Sequence, residues 1–164
     1  MEVEAVLNHQ TLTAVQSHKR VLVVDDEPTI REIVADALRD SEFDVKTAPN
    51  GADALEVVRC WLPDAVVLDL MMPRLDGTGF AQLMRLNPRF AGVPMLLVTA
   101  AYGAHEAAER VGARALLTKP FELDRLVELV TDLAGPGPSA PNIDPCVAHP
   151  HSARFTPLPG GEGS

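Results

Sequence analysis

The chain has 164 residues, a hydrophobic fraction of 46% and a net charge of −9 at pH 7. This length allows one domain with a buried core and additional tails, and the acidic charge argues against non-specific binding to nucleic acid. No apolar stretch reaches the length of a membrane span, and the N-terminus lacks the basic-then-apolar order of a signal peptide. The two cysteines, Cys60 and Cys146, lie far apart, so no disulfide framework is indicated and a cytoplasmic location is expected.

Composition divides the chain into three parts. Residues 1–18 are predicted to be a flexible leader, and residues 19–134 to form the folded domain. Residues 135–164 hold seven of the 14 prolines and few large apolar residues. Such a tail cannot bury enough apolar surface to offset its ordering entropy, so we expect it to be disordered.

The predicted elements alternate along the domain. Short apolar runs indicate strands at 21–24, 43–47, 65–68, 93–98 and 113–118. Helices are expected from Pro28, over 51–60, after the turn at 73–77, around 104–111 and over 122–134. Five strands alternating with five helices predict an α/β fold, a doubly wound five-stranded parallel sheet flanked by five helices on both faces.

The predicted helices carry apolar residues at helical spacing, which indicates the faces that pack on the sheet. For the first helix the predicted inward residues are Ile30, Ile33, Val34, Ala37 and Leu38. For the third helix they are Phe80, Leu83 and Met84.

Five polar residues follow or close these strands. Asp25 and Asp26 follow the first strand, Asp69 the third, Thr99 the fourth and Lys119 the fifth. Chemistry collects at the carboxyl ends of the strands in an open parallel sheet. The three carboxylates should therefore converge in one crevice, where their repulsion requires a hard cation or a proton.

Three carboxylates, a hydroxyl and an ammonium at one sheet edge suit phosphoryl transfer to an aspartate. Asp69 would be the nucleophile. Asp26 and Asp69 would ligate Mg²⁺, with Asp25 acting directly or through a water. Thr99 and Lys119 would bind the oxygens of the transferred group. The neighbouring Asp76-Gly77 pair is interpreted as a turn.

Four segments, at 21–28, 66–77, 97–100 and 117–121, together resemble the signature segments of two-component response regulator receiver domains. The similarity covers roughly residues 19–134, and the occurrence of all four segments in order makes it specific.

The resemblance implies further properties of the site. Asp69 would accept a phosphoryl group from the phosphohistidine of a sensor histidine kinase, or exchange it with a histidine phosphotransfer protein. The metal would be Mg²⁺, and the backbone carbonyl of Met71 would be a further ligand. The Lys119–Pro120 peptide bond is expected to be cis. The chain would be a signalling phosphoacceptor, which at most catalyses its own phosphorylation and dephosphorylation.

The sequence departs from the family pattern in two places. Leu116 occupies the position that usually holds an aromatic switch residue, and the stretch from Thr99 to Lys119 is about two residues shorter than usual. Tyr102 could replace the missing aromatic residue, although an exposed loop tyrosine is the expected interpretation. These changes leave the usual threonine–aromatic coupling and the usual dimer open, so we expect a monomer or a weak dimer.

Three functional interpretations are compatible with the sequence. In the first, the chain is a stand-alone receiver that signals by protein–protein contact or phosphorelay, and direct DNA binding is not expected because no helix-turn-helix pattern follows Ala134. In the second, the chain is the receiver fragment of a longer regulator. In the third, it is an aspartate-nucleophile Mg²⁺-dependent phosphatase, but such enzymes usually place an acid two residues beyond the nucleophile, where this chain has Met71.

Overall fold

The computed structural model describes residues 17–72, 74–100 and 102–137. Nearly all of the predicted leader at 1–18 and of the predicted tail at 135–164 therefore lies outside the described residues. Within the described part of the chain, no helix is both long enough and apolar enough to cross a membrane.

Strands and helices alternate through the described residues, as the sequence predicts. In chain order they are β1 (Arg20–Val24), α1 (Pro28–Asp40), β2 (Asp44–Ala48), α2 (Gly51–Cys60), β3 (Ala65–Leu68), α3 (Gly77–Leu86), β4 (Met95–Thr99), α4 (Ala104–Val111), β5 (Ala115–Thr118) and α5 (Leu123–Ala134). The predicted fold class is confirmed.

Three strands begin later than predicted, β2 by one residue and β4 and β5 by two residues each, and local hydrogen bonds explain the two larger differences. The Val93 amide donates to the Phe90 carbonyl, so Val93 belongs to the turn before β4. The Ala113 amide donates to the Ala108 carbonyl and so belongs to the end of α4 rather than to β5. In both cases an apolar residue next to a strand is used by a turn or a helix end.

The five strands form one parallel sheet in the order β2-β1-β3-β4-β5. Val24 of β1 is level with Leu68 of β3, so the residues that follow them, Asp25 and Asp69, leave the sheet side by side. The Asp69 amide donates to the Val24 carbonyl at 2.9 Å, which extends the pairing by one residue beyond the end of β3. The register therefore places the two aspartates at the same edge of the sheet.

The sheet separates two hydrophobic clusters. One lies under α2, α3 and α4, and the other lies under α1 and α5. Along β1, Leu22 and Val24 face the first cluster, whereas Val21 and Val23 face the second. Because β1 is buried on both faces, it reads as a continuous aliphatic run.

The buried faces of two helices differ slightly from the predicted ones. Ile33 of α1 is 45% exposed and Leu83 of α3 is 43% exposed, although both were predicted to face inward. Ala35 and Ala81 are fully buried instead. The small alanine side chains let these helices lie close to the sheet, which turns the larger neighbouring side chains toward solvent.

The C-terminal end of α2 contains the only tryptophan of the chain. Trp61 is 6% exposed and belongs to the first cluster. The ammonium nitrogen of Lys46 lies 5.1 Å from the centroid of its ring, within the range of a cation–π contact. The adjacent Cys60 is disulfide-bonded. The sequence did not indicate a disulfide, and this expectation is wrong for Cys60.

Helix α4 is bounded by two glycines in the left-handed region, Gly103 at φ 76° and Gly112 at φ 64°. Arg85 of α3 holds its C-terminal end. The guanidinium of Arg85 donates to the carbonyl oxygens of Val111 at 3.3 Å and of Gly112 at 2.5 Å. A third bond, to the Ala91 carbonyl at 2.6 Å, ties the same side chain to the loop before β4.

Candidate functional site

The centre of the site is a lysine that bridges two buried aspartates. The Nζ atom of Lys119 lies 2.9 Å from Asp25 Oδ2 and 3.1 Å from Asp69 Oδ2. Asp25 and Asp69 are each 5% exposed. Lys119 follows β5 and is attached to β4 by its amide, which donates to the Thr99 carbonyl at 3.1 Å. Its long side chain therefore crosses the carboxyl ends of β4 and β3 to reach β1.

The second oxygen of each buried aspartate accepts a hydrogen bond from the backbone. Asp25 Oδ1 accepts from the Glu27 amide at 2.9 Å, and Asp69 Oδ1 accepts from the Met71 amide at 3.1 Å. Both aspartates thus form a local turn with the amide two residues ahead. The turns fix the rotamers of the carboxylates, so that the Oδ2 atoms of both residues face Lys119.

The site also contains a third carboxylate. One oxygen each from Asp25, Asp26 and Asp69 lies within 4.8 Å of the others, and Asp26 is exposed whereas the other two are buried. A set of carboxylate oxygens matches the preference of hard divalent cations such as Mg²⁺. Because Asp26 is exposed beside the two buried aspartates, the carboxylate cluster is open to solvent on one side. The predicted convergence of the three carboxylates is present in the structure, and the donor set fits Mg²⁺.

The pKa values of both partners in the Lys119–Asp69 pair are raised above their ordinary values. Burial raises the pKa of the Asp69 carboxyl above 3.8, and the negative charge of Asp25 adds to this effect, whereas the Met71 amide and Lys119 oppose it. For Lys119, burial would lower the pKa, but hydrogen bonds to Asp25 and Asp69 together with their charges outweigh burial and raise it above 10.5. Lys119 is therefore a cation at neutral pH.

Thr99 and Met71 lie beside these groups. Thr99 is fully buried at the carboxyl end of β4, level with Thr118 of β5. Met71 contributes its amide to Asp69, while its side chain is 67% exposed. The predicted cis peptide bond between Lys119 and Pro120 is present.

The structure also shows where Leu116 and Tyr102 lie, the two residues considered for the aromatic switch position. Leu116 of β5 is partly buried and packs against the first hydrophobic cluster. The side chain of Tyr102 is fully exposed, which confirms the expectation of an exposed loop tyrosine. In this structure Tyr102 therefore does not occupy the place of an inward aromatic switch residue.

Asp76 and Gly77 have a structural role at the site that their interpretation as a turn did not include. The Asp76 side chain caps α3 by accepting from the Gly79 amide at 2.7 Å. A Cβ atom on Gly77 would lie 2.3 Å from the Asp69 carbonyl oxygen and 2.8 Å from Leu70 Cα. Only glycine therefore permits the start of α3 to pack on the main chain of Asp69. The glycine is visible in the sequence, but this close approach is not.

A family comparison agrees with this geometry. The model of the response regulator receiver domain matches residues 21–131, and the chain belongs to this family. It is accordingly a receiver domain of two-component signalling.

Solved structures with the same fold include chemotaxis protein CheY4 of Vibrio cholerae, with 28% identity, a TM-score of 0.67, and coverage of 71% of this chain and 99% of that one. The receiver domain of a Francisella response regulator is similar, with 28% identity, a TM-score of 0.66, and coverage of 71% of this chain and 97% of that one. Receiver domains thus match this chain over nearly their whole length.

Among curated relatives, response regulator Rre1 of Synechocystis sp. is 39% identical over 116 residues, which are 69% of this chain and 50% of the relative. The DNA-binding dual master transcriptional regulator RpaA of the same organism is 33% identical over 116 residues, 70% of this chain and 48% of the relative. The chain therefore spans about half the length of the curated relatives that it matches.

Proposed function

We propose that Asp69 is the phosphoacceptor of this receiver domain and takes its phosphoryl group from the phosphohistidine of a sensor histidine kinase or a histidine phosphotransfer protein. The observation that carries the proposal is the contact of Lys119 with both Asp25 and Asp69 in a pocket that has Asp26 on its open side. A cation fixed beside a buried carboxylate is suited to bind the oxygens of an arriving phosphoryl group.

In the proposed transfer, an Oδ atom of Asp69 attacks phosphorus. A P–O bond forms while the P–N bond to the histidine breaks, and the electron pair of that bond stays on the imidazole nitrogen, which takes a proton from solvent. The product is an aspartyl phosphate. The Met71 amide holds Asp69 Oδ1 at 3.1 Å, so Oδ2, which faces Lys119, is the oxygen that we expect to attack.

We further propose that Asp25, Asp26 and Asp69, with the backbone carbonyl of Met71, hold Mg²⁺. When bound, the ion offsets the negative charge of the carboxylates and of the phosphoryl oxygens. The spacing of the three carboxylates and their oxygen donors support this assignment.

Lys119 and Thr99 would orient the transferred group. We expect Lys119 to exchange its contact with Asp69 Oδ2 for a phosphoryl oxygen, because the new charge lies next to the same carboxylate. Its contact with Asp25 at 2.9 Å keeps the ammonium in place during this exchange. Thr99, at the end of the neighbouring strand, would donate its hydroxyl to another phosphoryl oxygen.

The expected output is a protein–protein contact made in the cytoplasm, where a sensor kinase would present its phosphohistidine. Because the chain covers 50% of Rre1 and 48% of RpaA, a second candidate is the receiver part of a longer regulator. DNA binding, which the name of RpaA states for that protein, is not proposed for the residues of this chain, since their net charge is −9.

The proposal is tested by intact-mass spectrometry after incubation with Mg²⁺ and acetyl phosphate, with Asp69→Asn as the matched variant. We expect the wild type to gain the mass of one phosphoryl group and the variant to gain none. A gain in both proteins would place the acceptor elsewhere. Absence of any gain, also with a phosphorylated histidine kinase as donor, would overturn the proposed function.

A further inference from the structure

The loop between β3 and α3, which carries Met71, is attached to the beginning of α2. The Gly51 amide donates to the Leu75 carbonyl at 3.0 Å. A Cβ atom on Gly51 would lie 2.7 Å from the same carbonyl oxygen and 3.0 Å from Leu75 Cγ. The two segments thus meet main chain to main chain, at a distance that only a glycine allows.

A second glycine encloses the other side of Leu75. A Cβ atom on Gly79 would lie 2.7 Å from Leu75 Cδ1 and 3.3 Å from Asp76 Oδ1. Leu75 also packs against the first hydrophobic cluster. Its side chain therefore lies between two glycines, Gly51 of α2 and Gly79 of α3. We call these three residues the loop latch.

The backbone of the loop shows that its conformation is imposed from outside. Arg74 has φ 68°, in the left-handed region, which costs a non-glycine residue about 1 kcal/mol. Such a conformation persists where surrounding contacts determine it. The loop latch supplies these contacts on the C-terminal side of Arg74, and Gly77 against the Asp69 carbonyl supplies them at the end of the loop.

We propose that the loop latch is a positioning device for the metal site: it fixes the main chain from Asp69 to Met71, and thereby the Mg²⁺ affinity of the receiver. The inference rests on the proposed function, because it takes the Met71 carbonyl as a metal ligand. Mg²⁺ tolerates little deviation from octahedral geometry, so a small displacement of one ligand weakens binding. Leu75, Gly51 and Gly79 act through the loop and touch neither the metal nor the substrate.

The decisive variant is Gly51→Ala. Alanine is favoured over glycine inside a helix, so a loss of function at this first residue of α2 would come from the close approach to Leu75 rather than from helix propensity. Gly92→Ala is the matched control, because a Cβ atom there meets nothing within 4 Å. Leu38→Ala, in the cluster on the opposite face of the sheet, controls for a general loss of stability.

Mg²⁺ affinity is measured by isothermal titration calorimetry with MgCl₂, and phosphorylation by the rate of labelling with acetyl phosphate. We expect Gly51→Ala to weaken Mg²⁺ binding by about tenfold or more, the size of effect seen when supports of metal ligands are removed. Gly92→Ala and Leu38→Ala should keep the wild-type dissociation constant, although Leu38→Ala unfolds at a lower temperature. In Gly51→Ala, saturating Mg²⁺ should restore most of the labelling rate.

Leu75→Ala provides a second route to the same answer, because it removes the enclosed side chain without introducing a clash. It should weaken Mg²⁺ binding in the same direction, and it replaces Gly51→Ala if that variant does not fold. Wild-type affinity in the latch variants, or an equal loss in Leu38→Ala, would overturn the positioning role. If the wild type itself neither binds Mg²⁺ nor becomes labelled, the proposed function fails instead.

Discussion

The acidic site and the region formed by α4 and β5 are held in place in different ways. In the site, the two buried aspartates each make one bond to a backbone amide and one to Lys119. In the α4–β5 region, α4 lies between two left-handed glycines, Tyr102 before it is fully exposed, and the residues of β5 are half-buried or exposed. The fold therefore holds the side chains of the acidic site in defined positions, whereas it constrains those of the α4–β5 region much less.

The difference follows from the position of each region in the sheet. The carboxylates and Thr99 of the site lie at the ends of β1, β3 and β4, which are buried along their whole length, and Lys119 reaches them from the end of β5. Charged groups at the ends of such strands need partners, because an unpaired buried charge is strongly unfavourable. The α4–β5 region lies at an edge of the sheet, where water can satisfy polar groups. Substitutions should therefore have larger effects in the site than in the α4–β5 region.

The largest effect is expected for Lys119→Met. The variant leaves Asp25 and Asp69 without their shared cation, and we expect the free energy of unfolding without Mg²⁺ at pH 7 to fall by about 2 kcal/mol. Labelling by acetyl phosphate should fall by about 100-fold or more. The pKa of Lys119 is raised above 10.5, so its stabilising effect is complete below pH 10.5 and is lost as the pH rises through the raised value.

Lys19→Met is a matched control for that variant. The side chains of Lys19 and Lys119 are 19% and 20% exposed, but within the described part of the chain Lys19 pairs with a single carboxylate, that of Asp64, at 3.9 Å. Chemical denaturation of both variants, compared with the wild type, measures the contribution of the bridge. Equal losses of stability in the two variants would contradict the special role of Lys119.

A smaller effect of opposite sign is expected for Asp69→Asn in the absence of Mg²⁺. Because the pKa of Asp69 is raised above 3.8, its carboxyl group contributes stability that is present below pH 3.8 and is lost as the pH rises through the folded-state value. The neutral amide avoids this loss, so the variant should be more stable than the wild type at pH 7, by less than about 1 kcal/mol.

Melting curves measured at several pH values test whether ionisation of Asp69 lowers the stability of the wild type. The difference in melting temperature between Asp69→Asn and the wild type should disappear at low pH and grow as the pH rises above 3.8. A difference that is constant with pH would show that ionisation of Asp69 is not its cause. Addition of Mg²⁺ should reduce or reverse the difference, because the ion binds the carboxylate and stabilises the wild type by mass action.

The smallest effect is expected for Tyr102→Ala in the α4–β5 region. The side chain of Tyr102 is fully exposed, so the rate of labelling should change by less than about twofold and the melting temperature should stay the same. A large loss of labelling would mean that Tyr102 turns inward when the site is phosphorylated, and would weaken the contrast between the two regions.

The sequence was most informative where strands are buried on both faces. The aliphatic runs of β1 and β3 and the carboxylates that follow them fixed the sheet edge and the convergence of Asp25, Asp26 and Asp69. Boundaries next to turns, as at Val93, were less certain because an apolar residue can serve a turn as well as a strand. Periodicity placed the helices correctly but misplaced Ile33, because helix rotation depends on the size of the residues that approach the sheet.

Distances between segments remote in sequence could not be predicted. The sequence indicated that Lys119 lies at the site, but not that it bridges two carboxylates, since that depends on how its side chain crosses β4. The contact of Gly51 with Leu75 was likewise hidden, because neither residue carries a charge or a motif that indicates the other. Close approach at a glycine is a property of the packed backbone, and only coordinates reveal it.

The location of Trp61 determines what optical spectroscopy of this protein can detect. The ring is buried at the C-terminal end of α2, whereas the carboxylates lie at the opposite edge of the sheet, near the beginning of that helix. As the only indole of the chain, it emits from a place remote from the three carboxylates. Its fluorescence should therefore report the unfolding of the first cluster and remain nearly silent when an ion binds.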